Sequence, residues 1–363
     1  MNFLPRVQNI TLHALIQGAC RRIMEVQLAN GAIPWFEEGP WDSWNHVEAA
    51  MALAVGNHLR EAERAYSFLR ETQLPDGSWW SEYGNAVPME DRTHLSRTKA
   101  PTIKDTNFTA YVATGIWHHF LATGDTKFLS AHWPMVDRAV HFILAMQLPN
   151  GSIAWCADGS DLPINEALVA GSSSIYKSLN SAIRIADTLA IEVQFWKIAR
   201  DRLGHALAHC PHAPGSPWIL KSRFSMDWYY PVLSGSLSGA PANERLARNW
   251  SRFVVKEMGC LCVVDEPWVT VAESCELAIT LLLQDQRAAA EALFSWQMNL
   301  RDEDGAFWMG YQCEERIVWP EEKPTWTSAA VVLSADALFD ISRANGLFKD
   351  PDHRSPQQFV AFV

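Results

Sequence analysis

Four carboxylates stand where a general acid and a general base could work together. Asp227, in RFSMDWYY (residues 223–230), follows an apolar Met and precedes three aromatic residues. A carboxylate in such surroundings needs a partner or a raised pKa, and Arg223, about one helical turn earlier, is the expected partner. Glu273, in VTVAESCELAI, sits among apolar residues in what reads as the first turn of a helix, with Glu276 further along the same run. Asp105 and Asp42 open two other segments, where an Asp either caps a helix or, among aromatic neighbours, serves a ligand. One protonated carboxyl beside one ionised carboxylate is what cleavage of a glycosidic bond requires. Asp227 and Glu273 fall in consecutive buried segments and are the expected acid and base, with Asp105 or Asp42 as a third carboxylate.

The residue types around these acids suit a sugar. Trp41, Trp44, Asn45 and His46 adjoin Asp42, and Asn107 follows Asp105. Tyr176 and Lys177 enter another segment, Trp228 and Tyr229 flank Asp227, and Trp268, Glu322 and Trp326 precede or open the last two. Aromatic rings stack on the apolar faces of sugars while amides and cations bond hydroxyls, so all of these, with Arg223, are expected to bind substrate. Aromatic walls also stabilise carbocations, which keeps an isoprenoid substrate as the alternative and a non-catalytic binding protein as a third reading.

Positioning these groups falls to a repeated pair of elements. QLANGAIPW, QLPDGSWW and QLPNGSIAW each end an amphipathic helical segment in a tight turn, with Gly31, Gly77 or Gly151 at the reversal. After each comes a segment rich in Ala, Gly and Ser, small or apolar on every side and therefore buried. Three weaker copies follow, and the buried segments begin near Trp44, Asp105, Gly171, Phe224, Thr270 and Trp326. The first and last copies are as apolar as the middle ones, so a closed ring is expected rather than an open array with polar caps. The expected fold is all-α, a single (α/α)6 toroid over residues 1–345 with a tail at 346–363. Trp35, Trp79 and Trp155 are expected to be structural staples at the turns.

QLPDGSWW resembles the QW motif of the squalene cyclase and protein prenyltransferase superfamily, and the ring of six hairpins equally resembles the six-hairpin glycosidases. The turns are also like those of bacterial proteins labelled prenyltransferase. The cyclase resemblance implies an Asp-x-Asp-Asp acid, which the sequence lacks; RDEDGAFW, with Asp302 and Asp304, comes nearest and reads as a solvated turn. The prenyltransferase resemblance implies zinc held by Asp, Cys and His. Cys260, Cys262 and Asp265, or His209 and His212, lack the spacing of a zinc site, and no metal or cofactor is expected.

Bulk composition narrows the partners. A net charge of −11 disfavours nucleic acid, and no run approaches the length of a membrane span. Seven scattered cysteines suit reduced thiols, and together with an N-terminus unlike a signal peptide they lead to a cytoplasmic expectation. The sequence leaves the oligomeric state open.

Overall fold

The computed structural model describes residues 10–84, 103–157, 162–209 and 215–349. Among them are twelve α-helices in two concentric layers. The outer layer is α1 (Leu12–Val26), α3 (Leu59–Thr72), α5 (Thr126–Ala145), α7 (Gln194–His209), α9 (Gly239–Phe253) and α11 (Arg287–Gln297). The inner layer is α2 (Ser43–Val55), α4 (Thr106–Thr123), α6 (Val169–Thr188), α8 (Ser225–Leu233), α10 (Val271–Leu282) and α12 (Thr325–Phe339). Each inner helix starts within about two residues of the position expected from the sequence. Successive inner helices pack side by side, and α12 packs on both α2 and α1, which closes the ring. At the seam Thr325 donates through its backbone N–H to the Trp35 carbonyl (2.8 Å) and through its hydroxyl to the Pro34 carbonyl (2.8 Å).

Burial on all sides explains the composition of the inner helices. In α12 every residue from Thr327 to Leu338 is buried, and small side chains let neighbours approach on both flanks. The outer helices are amphipathic; α3 buries Ala62, Ala65, Tyr66, Phe68 and Leu69 and exposes its charges.

The turns are docking joints. Gln73 Nε2 donates back to the Gly77 carbonyl (2.9 Å) and across to Met135 of α5 (2.9 Å), and Arg138 donates to the Gln73 amide oxygen. Gln27 and Gln147 repeat the arrangement on α3 and α7, with Arg64 and Arg202 in the role of Arg138. Gly77 has φ +93° and lies against the Arg138 backbone, so the position needs both the left-handed conformation and the missing side chain. Each Gln therefore ties one hairpin to the outer helix of the next.

The staple is the residue six beyond the Gln: Ile33, Trp79 and Ile153, all at 1% exposure or less. Trp79 fills this place and donates its indole N–H to Leu69 (3.2 Å). Trp35 and Trp155 stand eight beyond their Gln, partly exposed. The staple expectation thus holds for Trp79; Trp35 is structural at a different place, its indole N–H bonded to the buried Asp42 carboxylate (2.6 Å), and Trp155 borders a cavity instead.

Short strands were not anticipated. β1 (Lys104–Asp105) pairs with β2 (Cys156–Ala157), and β3 (Ala167–Leu168) with β4 (Trp218–Ile219). A five-stranded antiparallel sheet in sequence order joins β5 (Val254–Val255), β6 (Gly259–Leu261), β7 (Trp268–Thr270), β8 (Gly310–Gln312) and β9 (Ile317–Val318). β7 runs directly into α10 and so fixes the direction of its first turn. The ring also extends past residue 345: Leu347 is fully buried, and Phe348 lines the central cavity. No described helix is long and apolar enough to cross a membrane.

Candidate active site

The N-termini of the inner helices open on one end of the ring, and helical periodicity arranges the inward side chains in layers. The first turns contribute Trp44, Asn107, Gly171 and Met226 to a cavity that Asp105 and Trp155 also line. One turn deeper, Glu48, Tyr111, Ser174, Tyr230 and Glu276 line a second, tighter cavity. Trp44 belongs to the wall between them, stacked on Tyr111 with ring centroids 5.0 Å apart.

The deeper layer is a polar network that the sequence reading did not identify. The Tyr111 hydroxyl donates to Glu48 (2.6 Å), the Tyr230 hydroxyl to Glu276 (2.6 Å), and Tyr229 donates to the other Glu276 oxygen. Burial, with the charge of the facing Glu48 added, pushes Glu276 up to about 8. Burial likewise pushes Glu48 up to about 7, against the hydrogen bonds from Tyr111 and Trp44. A carboxyl whose pKa is raised in the fold stays protonated where the unfolded chain has ionised. Its contribution to stability is therefore complete below the ordinary 4.5 and lost as the pH rises through about 8. Glu276→Gln should flatten the fall in stability between those limits, as measured by urea denaturation at several pH values. An unchanged slope would mean that Glu276 is ionised throughout.

Asp105 caps α4 by accepting the Phe108 N–H (3.0 Å), and its carboxyl borders the outer cavity. Burial, with a smaller contribution from the charge of Asp42, raises its pKa to about 7. Asp42 caps α2 and is fully buried; it accepts from the Asn45 N–H (2.9 Å), the Asn45 amide (2.6 Å) and the Trp35 indole (2.6 Å). Burial raises it to about 6. Its oxygens are occupied in holding Trp35 and Asn45. Glu273 lies in the first turn of α10, partly exposed, and accepts the Thr270 hydroxyl.

Other expected site residues lie elsewhere or have structural work. Arg223 does not pair with Asp227: it bonds Asp265 on the exposed rim (2.9 Å). Asp227 instead lies beside Arg245 of the outer helix α9, which donates to the Asp227 backbone carbonyl (2.7 Å) and feels the carboxylate charge. His46 is buried, accepting the Ile33 N–H (3.1 Å) on Nδ1 with Nε2 against the Ala65 carbonyl, and burial lowers its pKa to about 4. Trp41 stacks on Tyr83, and Trp228 stacks on Phe253 and donates to the Arg245 carbonyl.

Tyr176 and Lys177 are two turns into α6, not at its start. Tyr176 packs on Gly204 of α7, and Lys177 bonds the Leu347 carbonyl at the far end of the deep cavity. Trp268 donates its indole N–H to the Trp319 carbonyl (2.7 Å) within the sheet. Glu322 accepts the Met309 N–H through its backbone carbonyl, and Trp326 meets Trp35 edge-on at the seam. Asp302 and Asp304 clamp Lys323. Among the described residues no His, Cys, Asp and Glu group has a metal-binding arrangement; His212 lies outside them.

No protein-family model matches the sequence. Over 352 residues it is 42% identical to the MMP endo-(1,4)-3-O-methyl-alpha-D-mannosidase of Mycolicibacterium hassiacum, across 97% of this chain and 94% of that protein. The chain belongs to that mannosidase's family. Solved structures share the fold of this glycoside hydrolase-like enzyme at low identity. A glycosidase in complex with glucose superposes with a TM-score of 0.68 at 14% identity, over 93% of this chain and 97% of that one. The GH63 mannosylglycerate hydrolase of Thermus thermophilus gives 0.66 at 14%, over 88% and 99%. A D-mannose isomerase gives 0.63 at 11%, over 92% and 99%. One ring thus carries more than one reaction. The six-hairpin glycosidase resemblance is supported, whereas the prenyltransferase and squalene cyclase resemblance extends to the turns alone. Carboxyls at the floor of the ring also suit a sugar better than an isoprenoid.

Proposed function

We propose that this enzyme hydrolyses internal α-(1,4) linkages in a chain of O-methylated mannose, with Asp105 as general acid and Glu273 as general base. The observation that carries this reading is that Asp105 caps α4 and Glu273 lies in the first turn of α10, two helices opposite one another in the closed ring. Neighbouring helix axes stand about 8–10 Å apart, so opposite axes of a six-membered ring are roughly 16–20 Å apart. Inward carboxyls would then be separated by something near the 6.5–9.5 Å that accommodates a sugar and a water. Burial raises Asp105 to about 7, so that a substantial share of the carboxyl is protonated at neutral pH and able to give its proton to the leaving glycosidic oxygen. Glu273, oriented by Thr270, takes a proton from the water attacking the anomeric carbon from the other face. Asp227, expected from sequence as one member of the acid and base pair, is less suited because it sits beside Arg245 of the outer helix α9.

The endo action in the relative's name favours attack at internal bonds. Incubation with an O-methylated α-(1,4)-mannan, followed by sizing of the early products, tests this. Mid-length fragments are expected; release of single sugars alone, or no release, would contradict it.

A further inference from the structure

We infer that the outer cavity, between the first turns of α4 and α6, is a pocket for an O-methyl group of the substrate, and that Gly171 sets its size; the inference rests on the hydrolase reading above. The wall of the cavity is largely apolar. Trp44, Phe108, Ile153, Leu168, Ile175 and Met226 stand on its wall, and polar groups enter it from the start of α4 and from Ser172 of α6. Plain hydroxyls would lose hydration against such a wall without regaining hydrogen bonds, whereas a methyl ether gains by the same burial.

Asn107 supplies a second observation. Its side chain is 6% exposed, it borders the cavity, and its Oδ1 has no hydrogen-bond partner within the described protein. A buried carbonyl oxygen in that state calls for a donor from a ligand, which a hydroxyl next to the ether would provide.

Gly171 is the third. It lies within α6 in ordinary helical conformation, where glycine is less stable than alanine. A Cβ there would meet Asn107 Cβ at 3.7 Å and Leu168 Cβ at 3.8 Å, normal contact distances. Gly115 of α4 is different, since a Cβ there would collide with Val47 and Tyr66. Protein packing therefore accounts for Gly115 but not for Gly171. What the missing methyl at 171 preserves is cavity volume, and a methyl added there occupies the space of the substrate's own.

The test compares wild type with Gly171→Ala on two matched mannoside oligomers, one O-methylated and one not, reading both binding by calorimetry and kcat/KM. Wild type should prefer the methylated oligomer. Gly171→Ala should lower that preference at least about tenfold, the usual scale for one methyl group in an apolar pocket, with melting temperature unchanged or raised. Equal binding of the two oligomers by wild type, or a variant that keeps the full preference, overturns the assignment. A wild type that shows the preference in binding but cleaves neither oligomer upholds the pocket and contradicts the hydrolase reading instead.

Discussion

Glu273→Gln should lower kcat at least about a hundredfold, with folding intact, because it removes the group that accepts a proton from water while keeping its shape. Asp105→Asn should cost a comparable factor. Asn is as good a helix cap as Asp, so the bond from the Phe108 N–H survives and any loss reports chemistry rather than unfolding. The pH profile separates the two roles. Asp105 works protonated and its pKa is raised to about 7, so wild-type activity should fall as the pH rises through that value. Asp227→Asn serves as the control; with its carboxylate beside Arg245, it should stay within a few-fold of wild type. Full activity of both Glu273→Gln and Asp105→Asn in a reducing-end assay would sink this assignment.

Trp79→Ala should cost about 3–5 kcal/mol, the range for truncating a large buried aromatic residue. The indole is 1% exposed and its N–H is bonded to Leu69, so the substitution leaves a cavity and removes a hydrogen bond at the end of α3. Denaturant unfolding measures the loss, and kcat/KM of the protein that remains folded should hardly change. Trp155→Ala should behave in the opposite way, since that ring lines the outer cavity and is partly exposed. A Trp79→Ala protein with unaltered stability and weakened substrate affinity would place Trp79 in the site.

The rhythm of the ring was legible because burial on all sides demands a composition that amphipathic helices do not have. SWNHVEAAMALAV and TWTSAAVVLSADAL carry that signature in type alone. The turns were legible in outline, but Gln-to-Trp spacing merged two positions with different environments, six residues on in Trp79 and eight on in Trp35 and Trp155. Only the packing direction of each turn separates them. Asp105 and Glu273 stood out because they open inner helices. Glu48 and Tyr111 did not, although each lies one helical turn beyond a mouth residue, Trp44 and Asn107; Tyr230 stands in the same relation to Met226 but was visible within the aromatic run after Asp227. Stepping by four along each inner segment would have found them. Arg223 looked like a partner for Asp227 on spacing, yet position 223 precedes α8, where helical spacing does not apply. The sheet around β6 and β7 was hidden because its strands are two or three residues long, too short for alternation to register.

The stereochemistry of the first product tests the central claim most directly. Proton magnetic resonance of the anomeric signals, recorded within the first minutes of hydrolysis of an α-linked mannoside chain, distinguishes the two outcomes before mutarotation mixes them. Carboxyls on opposite sides of the mouth, with water between Glu273 and the sugar, require the β-anomer to appear first. Initial release of the α-anomer would mean a covalent intermediate and a pair only about 5 Å apart, which Asp105 and Glu273 on opposing helices could not form.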